Sequence, residues 1–206
     1  MDLNDRELRV LGCLIEKEMT TPDYYPMSLN ALVMACNQKS NRDPVLDLGE
    51  TDVLESVDGL RDLGLARTVH GKGDRVLKYR HVVTETLDIS ARQAALLAVL
   101  ILRGDQTLGE LRGRTGRYVE FADLDEVATE LAALGDAETP LAVRLERRPG
   151  EKEARYRQLL GSVAESPAVS SAHAAGEEPD RIASLEAELA GLRDRVERME
   201  RELGLS

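Results

Sequence analysis

The sequence predicts a mainly α, α+β chain: two tandem winged helix-turn-helix domains, a linker and a C-terminal coiled-coil helix. Three observations predict it. An internal repeat places the same helical pattern and the same hairpin pattern twice within residues 1–161. Residues 162–180 hold five Ala, four Ser, two Pro and one Gly with few large apolar side chains. Residues 181–206 return to a strict helical spacing of apolar residues. The resulting boundaries are 1–86 and 87–161 for the two domains, 162–180 for the linker and 181–206 for the coil.

The first helix of each repeat opens on a capping signal. Asn4 is followed three residues later by Glu7, and Ser90 by Gln93. Behind the caps, Leu8, Leu11, Leu14 and Ile15 match Ala94, Leu97, Leu100 and Ile101. The second helix carries Leu29 and Leu32 in one half and Leu108 and Leu111 in the other. The third carries Val57, Leu60, Leu63 against Ala128, Leu131, Leu134, each closed by a glycine, Gly64 or Gly135. A hairpin pattern follows each time. Ala66 to Val69 and Val76 to His81 flank the turn Gly71-Lys-Gly-Asp74; Ala142 to Leu145 and Ala154 to Arg157 flank Arg148-Pro-Gly-Glu151. Tyr79 and Tyr156 fall on the return strands and are expected to be partly buried.

In the C-terminal segment Ile182, Leu189, Val196 and Leu203 form one heptad position and Leu185, Leu192 and Met199 the other. β-Branched residues at two a positions with Leu at d favour a parallel two-stranded coil, so a homodimer is expected. Opposite charges at Arg181 and Glu186, Glu188 and Arg193, and Arg195 and Glu200 agree with that register. The alternative is a helix that packs back on its own body. The alanine- and serine-rich linker cannot offset its ordering entropy, so it tethers the domains without fixing their spacing.

Composition excludes several function classes. The net charge of −11 rules out a generally basic nucleic-acid coat. Aromatics at 3% and no Trp leave no stacking platform for single-stranded bases. No apolar run approaches a membrane span and the N-terminus lacks a signal pattern, so a cytoplasmic protein is expected. Cys13 and Cys36 lie in apolar helical patterns and read as reduced core thiols. His70, His81 and His173 are scattered, and no zinc, nucleophile-elbow or Walker pattern occurs; Ala66 stands where a phosphate loop ending in Gly71-Lys72 needs glycine. No catalytic residue, metal or cofactor is expected.

Basic residues cluster where a duplex could meet them. The first hairpin holds Arg67, Lys72, Arg75, Lys78 and Arg80 against Asp74 alone. Arg112, Arg114 and Arg117 follow one another without an acid, and the second hairpin carries Arg144, Arg147, Arg148, Lys152, Arg155 and Arg157 among three glutamates. Such groups suit phosphate contacts. Between the second and third helices, Asn37, Gln38, Lys39, Asn41 and Arg42 offer side chains that read base edges, or alternatively cap helices and satisfy backbone groups. The third helices argue against base reading, since one begins Glu50-Thr-Asp52 and the other Asp123-Leu-Asp-Glu126. The leading expectation is therefore a non-enzymatic, self-associating duplex DNA binder with a regulatory role. The alternative is a protein-interaction scaffold in which acidic winged helices dock a protein partner without nucleic acid.

The blocks Leu11-Gly-Cys-Leu-Ile-Glu-Lys-Glu18, Tyr25-Pro-Met-Ser-Leu-Asn-Ala-Leu-Val33 and Ala35-Cys-Asn-Gln-Lys-Ser-Asn-Arg-Asp-Pro-Val45 resemble the YceH family. So do Leu102-Arg-Gly-Asp-Gln-Thr-Leu-Gly-Glu-Leu-Arg112 and Pro149-Gly-Glu-Lys-Glu-Ala-Arg-Tyr156. The resemblance spans roughly residues 3–161. It implies a tandem winged-helix fold and brings no biochemical role with it.

Overall fold

Local capping starts the fold. Asn4 accepts hydrogen bonds from the amides of Arg6 and Glu7 while Glu7 accepts from the Asn4 amide at 2.9 Å, and this box opens α1 (Asp5–Thr20). Ser90 and Gln93 make the same reciprocal bonds ahead of α5 (Ala91–Arg103). The computed structural model describes residues 2–70, 76–147 and 150–161. The expected linker and coil, with Ile182, Leu185, Leu189, Leu192, Val196, Met199 and Leu203, lie outside those residues.

Between them the first repeat runs in order. A 3-10 turn at Pro22–Tyr24 leads to β1 (Met27–Ser28), then α2 (Leu29–Cys36) and α3 (Glu50–Asp62). β2 (Ala66–Val69) and β3 (Lys78–His81) follow, then a single turn of helix, α4 (Val83–Thr86). The sheet order is β1-β3-β2, all antiparallel, with Tyr79 opposite both Met27 and Thr68. The second repeat is α5, α6 (Leu108–Thr115), α7 (Leu124–Gly135), β4 (Ala142–Arg144) and β5 (Tyr156–Gln158). Gln106 and Tyr156 exchange backbone hydrogen bonds, so a one-residue bridge stands where β1 stands in the first half. The described residues thus form a mixed α+β unit, helices with two small antiparallel sheets, in which no helix is long and apolar enough to cross a membrane.

Several details depart from the periodicity. β1, the bridge and α4 are too short to leave a pattern in sequence. β3 begins at Lys78, because Val76 and Leu77 are exposed and lie ahead of the paired register. The second ladder is paired from Ala142 with Gln158 to Arg144 with Tyr156, one residue further along than the apolar run implied, and Leu145 still donates to Arg155. Gly64 closes α3 with φ +71°, the left-handed conformation that favours glycine. Gly135 does not take that conformation; it is the last residue of α7, and a Cβ there would sit 3.4 Å from the Ala142 carbonyl.

One core joins the repeats. Every residue of α1 from Leu8 to Glu16 is buried, because the helix packs against α2 and α3 on one side and α5 on the other. At Gly12 the two first helices lie close together: a Cβ there would sit 2.8 Å from the Ile101 side chain and 2.9 Å from Leu102. Leu3 donates to Leu160 at 2.9 Å, tying the two ends of the described unit together. Tyr79 is in the core at 5% exposure, Tyr156 packs on its edge, and Cys13 and Cys36 are buried free thiols.

Candidate functional site

Burying α1 on all sides takes two charged side chains, Arg9 and Glu16, into the core, and each requires partners. Both find partners at the end of α2 and in the segment that leads on to α3. Arg9 donates to the Cys36 and Pro44 carbonyls, the first at 3.0 Å. Glu16 faces Arg42, whose two terminal nitrogens lie 3.2 and 2.5 Å from the two carboxylate oxygens. The Arg42 side chain is completely buried and also reaches the Ala35 and Asn41 carbonyls and Gln38 Oε1. Tyr118, just beyond α6, donates its hydroxyl to Glu16 at 3.0 Å. Burial opposes the charge on Glu16, but the Arg42 hydrogen bonds outweigh it and hold the carboxyl below its ordinary value. For Tyr118, burial and then the neighbouring carboxylate push the phenol up, so it stays a donor.

The rest of that segment is built around this pair. Asn37 uses both ends of its amide on Leu48, accepting from its N–H at 2.8 Å and donating to its carbonyl at 2.9 Å. Asn41 has φ +60° and accepts from Arg103 at the end of α5. Asp43 donates its amide to the Leu102 carbonyl at 2.8 Å. The loop is therefore a fixed structure lying on α1 and α5, with Asn37 and Arg42 fully engaged in it. Lys39 is exposed and makes no ion pair among the described residues.

Above the Glu16–Arg42 pair lies a cleft of about 350 Å³, lined among others by Lys17, Gln38, Lys39 and Arg117. Lys17 Nζ is 3.7 Å and Arg117 Nη2 3.9 Å from Glu16, and the Arg117 side chain is 60% exposed. Arg114 is turned instead toward Gln106 and Glu110. Arg112 donates to the Phe121 and Ala122 carbonyls, bracing the α6–α7 connection. The three successive arginines thus separate: one faces the cleft and two hold the fold.

The hairpins divide in the same way. On the first, Arg67 and Arg80 share Glu85 at 3.6 and 3.2 Å, Lys78 lies half-buried on β3, and Lys72 and Arg75 lie outside the described residues. On the second, Arg155 pairs with Glu110 and Glu151, and Arg157 with Asp105. Arg144, Arg147 and Lys152 are exposed with no ion pair among the described residues, beside exposed Glu146 and Glu153. Arg148 lies outside the described residues.

The acids of the third helices are partly structural. Asp52 accepts from the Gly49 amide and pairs with Arg6 at 2.7 Å. Asp123 caps α7 at the Glu126 amide, and Glu126 accepts from Ala122 and meets Arg92. What remains on α3 toward solvent is Glu50, Thr51, Leu54, Glu55, Asp58 and Asp62, with Asp58 held by the exposed Arg61. No group of three His, Cys, Asp or Glu side chains is placed to hold a metal among the described residues.

Of this site, the sequence pointed to the 37–42 segment and Arg117 but not to Glu16, Lys17, Arg103 or Tyr118. The available signal was Glu16 itself, an acid at the end of an otherwise apolar run.

Residues 3–151 match the family described as "Protein of unknown function, DUF480". A UPF0502 protein of Citrifermentans bemidjiense is 50% identical over 191 residues, 91% of this chain and 88% of the relative. One from Pelobacter propionicus is 49% identical over 209 residues, 98% of this chain and 94% of the relative. One from Shewanella amazonensis is 46% identical over 203 residues, 96% and 97% respectively.

Proposed function

The chain belongs to the DUF480 family of proteins of unknown function, so its role has to be read from its own surface, and we propose that it is a non-enzymatic tandem winged-helix protein of the cytoplasm that binds duplex DNA. In this reading each helix–helix–helix–hairpin repeat is one winged helix-turn-helix, as the resemblance to the YceH family implies. The C-terminal coil pairs two chains in parallel, and the protein acts in regulation.

The observation that carries the reading is the state of the hairpin cations. Arg144, Arg147 and Lys152 stand exposed and without ion pairs among the described residues, while their neighbours Arg155 and Arg157 are engaged with carboxylates. Cations held at a hairpin and left uncompensated suit phosphates. The outward residues of α3, Glu55, Asp58 and Asp62, oppose entry into a groove. Affinity then comes from the backbone, is independent of sequence and falls steeply with salt.

Fluorescence anisotropy of a labelled random-sequence duplex, titrated with the full chain at low and physiological salt, tests this. Micromolar binding that weakens steeply with salt is expected. Charge reversal at Lys72, Arg75 and Lys78, or at Arg144, Arg147 and Lys152, should abolish it. Absence of binding at low salt, where attraction is strongest, overturns it.

One observation favours a second reading. Leu54 is 38% exposed on α3 amid Glu55 and Asp58, an apolar spot with an acidic surround that suits a basic protein partner. Glu55→Lys with Asp58→Lys separates the two: it strengthens duplex binding under the first reading and abolishes partner docking under the second.

A further inference from the structure

Gln38 and Asn41 give the cleft its chemistry. Each side-chain carbonyl is occupied by an arginine, Gln38 Oε1 by Arg42 and Asn41 Oδ1 by Arg103. A guanidinium has no acceptor, so the oxygen of each amide must face it and the amide nitrogen is what each has left. Both residues line the cleft, together with Lys17, Lys39 and Arg117. The one carboxylate there, Glu16, already accepts from Arg42 on both oxygens and from Tyr118. The cleft therefore offers donors and an excess of positive charge: Lys17, Lys39 and Arg117 line it against Glu16 alone.

We propose that this cleft binds the phosphate monoester group of a phosphorylated ligand, with Lys39 and Arg117 as its two exposed arms. A phosphate monoester carries about −1.5 to −2 charge at neutral pH and three acceptor oxygens, which matches several donors and an excess of more than one cation better than a carboxylate does. Arg42 and Glu16 are positioning residues: their buried pair fixes the loop that presents Gln38, Lys39 and Asn41. At about 350 Å³ the cleft is within the range of small-molecule sites. Its lining comes from α1, the 38–41 loop and Arg117 just beyond α6, so a ligand there touches both repeats. The site does not rest on the hairpin reading above.

The test is calorimetric titration of the full chain with inorganic phosphate and with adenosine monophosphate at constant ionic strength. Saturable binding is expected, weakened about tenfold or more in Lys39→Gln/Arg117→Gln, as loss of charge-assisted hydrogen bonds implies, and unchanged in Arg6→Gln, an exposed cation paired with Asp52. Lys39 and Arg117 are exposed, so the double variant should keep the parent's melting temperature without ligand, confirming that it is folded. No saturable binding, or equal affinity in parent and double variant, overturns the proposal. Competition with a random duplex then identifies the source of the phosphate. Displacement of adenosine monophosphate, with duplex binding weakened in the double variant, overturns the monoester assignment and gives the cleft to the phosphodiester backbone of a nucleic acid. Retention of the nucleotide assigns it to a small molecule. A chain that binds no duplex but still binds the nucleotide defeats the hairpin reading and leaves this one standing.

Discussion

Glu16 is 3% exposed and its charge is carried by partners on two other segments, Arg42 and Tyr118. Removing one partner strands the other, which costs far more than the pair contributes. Arg42→Met is expected to destabilise the chain by about 3–5 kcal/mol, read as a lowered urea midpoint. The pH dependence has a definite sign. Glu16 is held below the ordinary value of 4.5 by Arg42 against the cost of burial, and Glu18 by its hydrogen bond to His81 at 2.7 Å. Both contribute stability that is complete above the unfolded value and lost as pH falls through the lower folded values. The melting temperature should therefore hold down to about pH 5 and drop below 4.5, with a shallower acid limb in Glu16→Gln.

At the scale of elements, the two first helices decide the architecture. α1 and α5 start from the same kind of capping box and meet where Gly12 lets Ile101 and Leu102 close in. Gly12→Val would force them apart, and a loss of about 1–3 kcal/mol is expected from denaturation. Gly113, in the interior of α6, is the control: nothing lies within 4 Å of its Cβ position. Gly113→Ala should stabilise the protein by about 0.5–1 kcal/mol, because it restricts the unfolded chain without a clash. The acids opening α3 and α7 belong to this scale too. Asp52 and Asp123 cap their helices, so their presence there has a local cause apart from any partner.

For the whole molecule, the charge of −11 is distributed unevenly, and cations gather on the hairpins and around the cleft while acids face outward on α3. The described residues end at Gly161, and Met1–Val163 is a compact unit by itself. The C-terminal heptads are a separate expectation, tested by length. Sedimentation equilibrium of the full chain should give twice the 22.7 kDa chain mass, whereas a chain ending at Gly161 should sediment as a monomer and bind random duplex more weakly through lost avidity. A full-length monomer at tens of micromolar would eliminate the parallel coil.

What the sequence determined by itself was whatever is local or periodic. Asn4 with Glu7 and Ser90 with Gln93 announced the helix starts, the Leu and Val spacings marked the buried faces except at Leu63, which is exposed, and Gly64 marked a helix end, because caps, stripes and left-handed turns act over at most a few residues. Most of the segment 37–42 could be picked out by composition, yet composition could not say which side chains face outward. Arg42 was as eligible for a duplex as Lys39 until the tertiary structure placed it against Glu16, 26 residues away. The same holds for Arg112, Arg114 and Arg117, three arginines in one short run that end in three surroundings. Whether a cation is engaged or left available depends on which carboxylates and carbonyls the fold brings beside it, and for Arg42 with Glu16 or Arg157 with Asp105 no short window of sequence contains both partners.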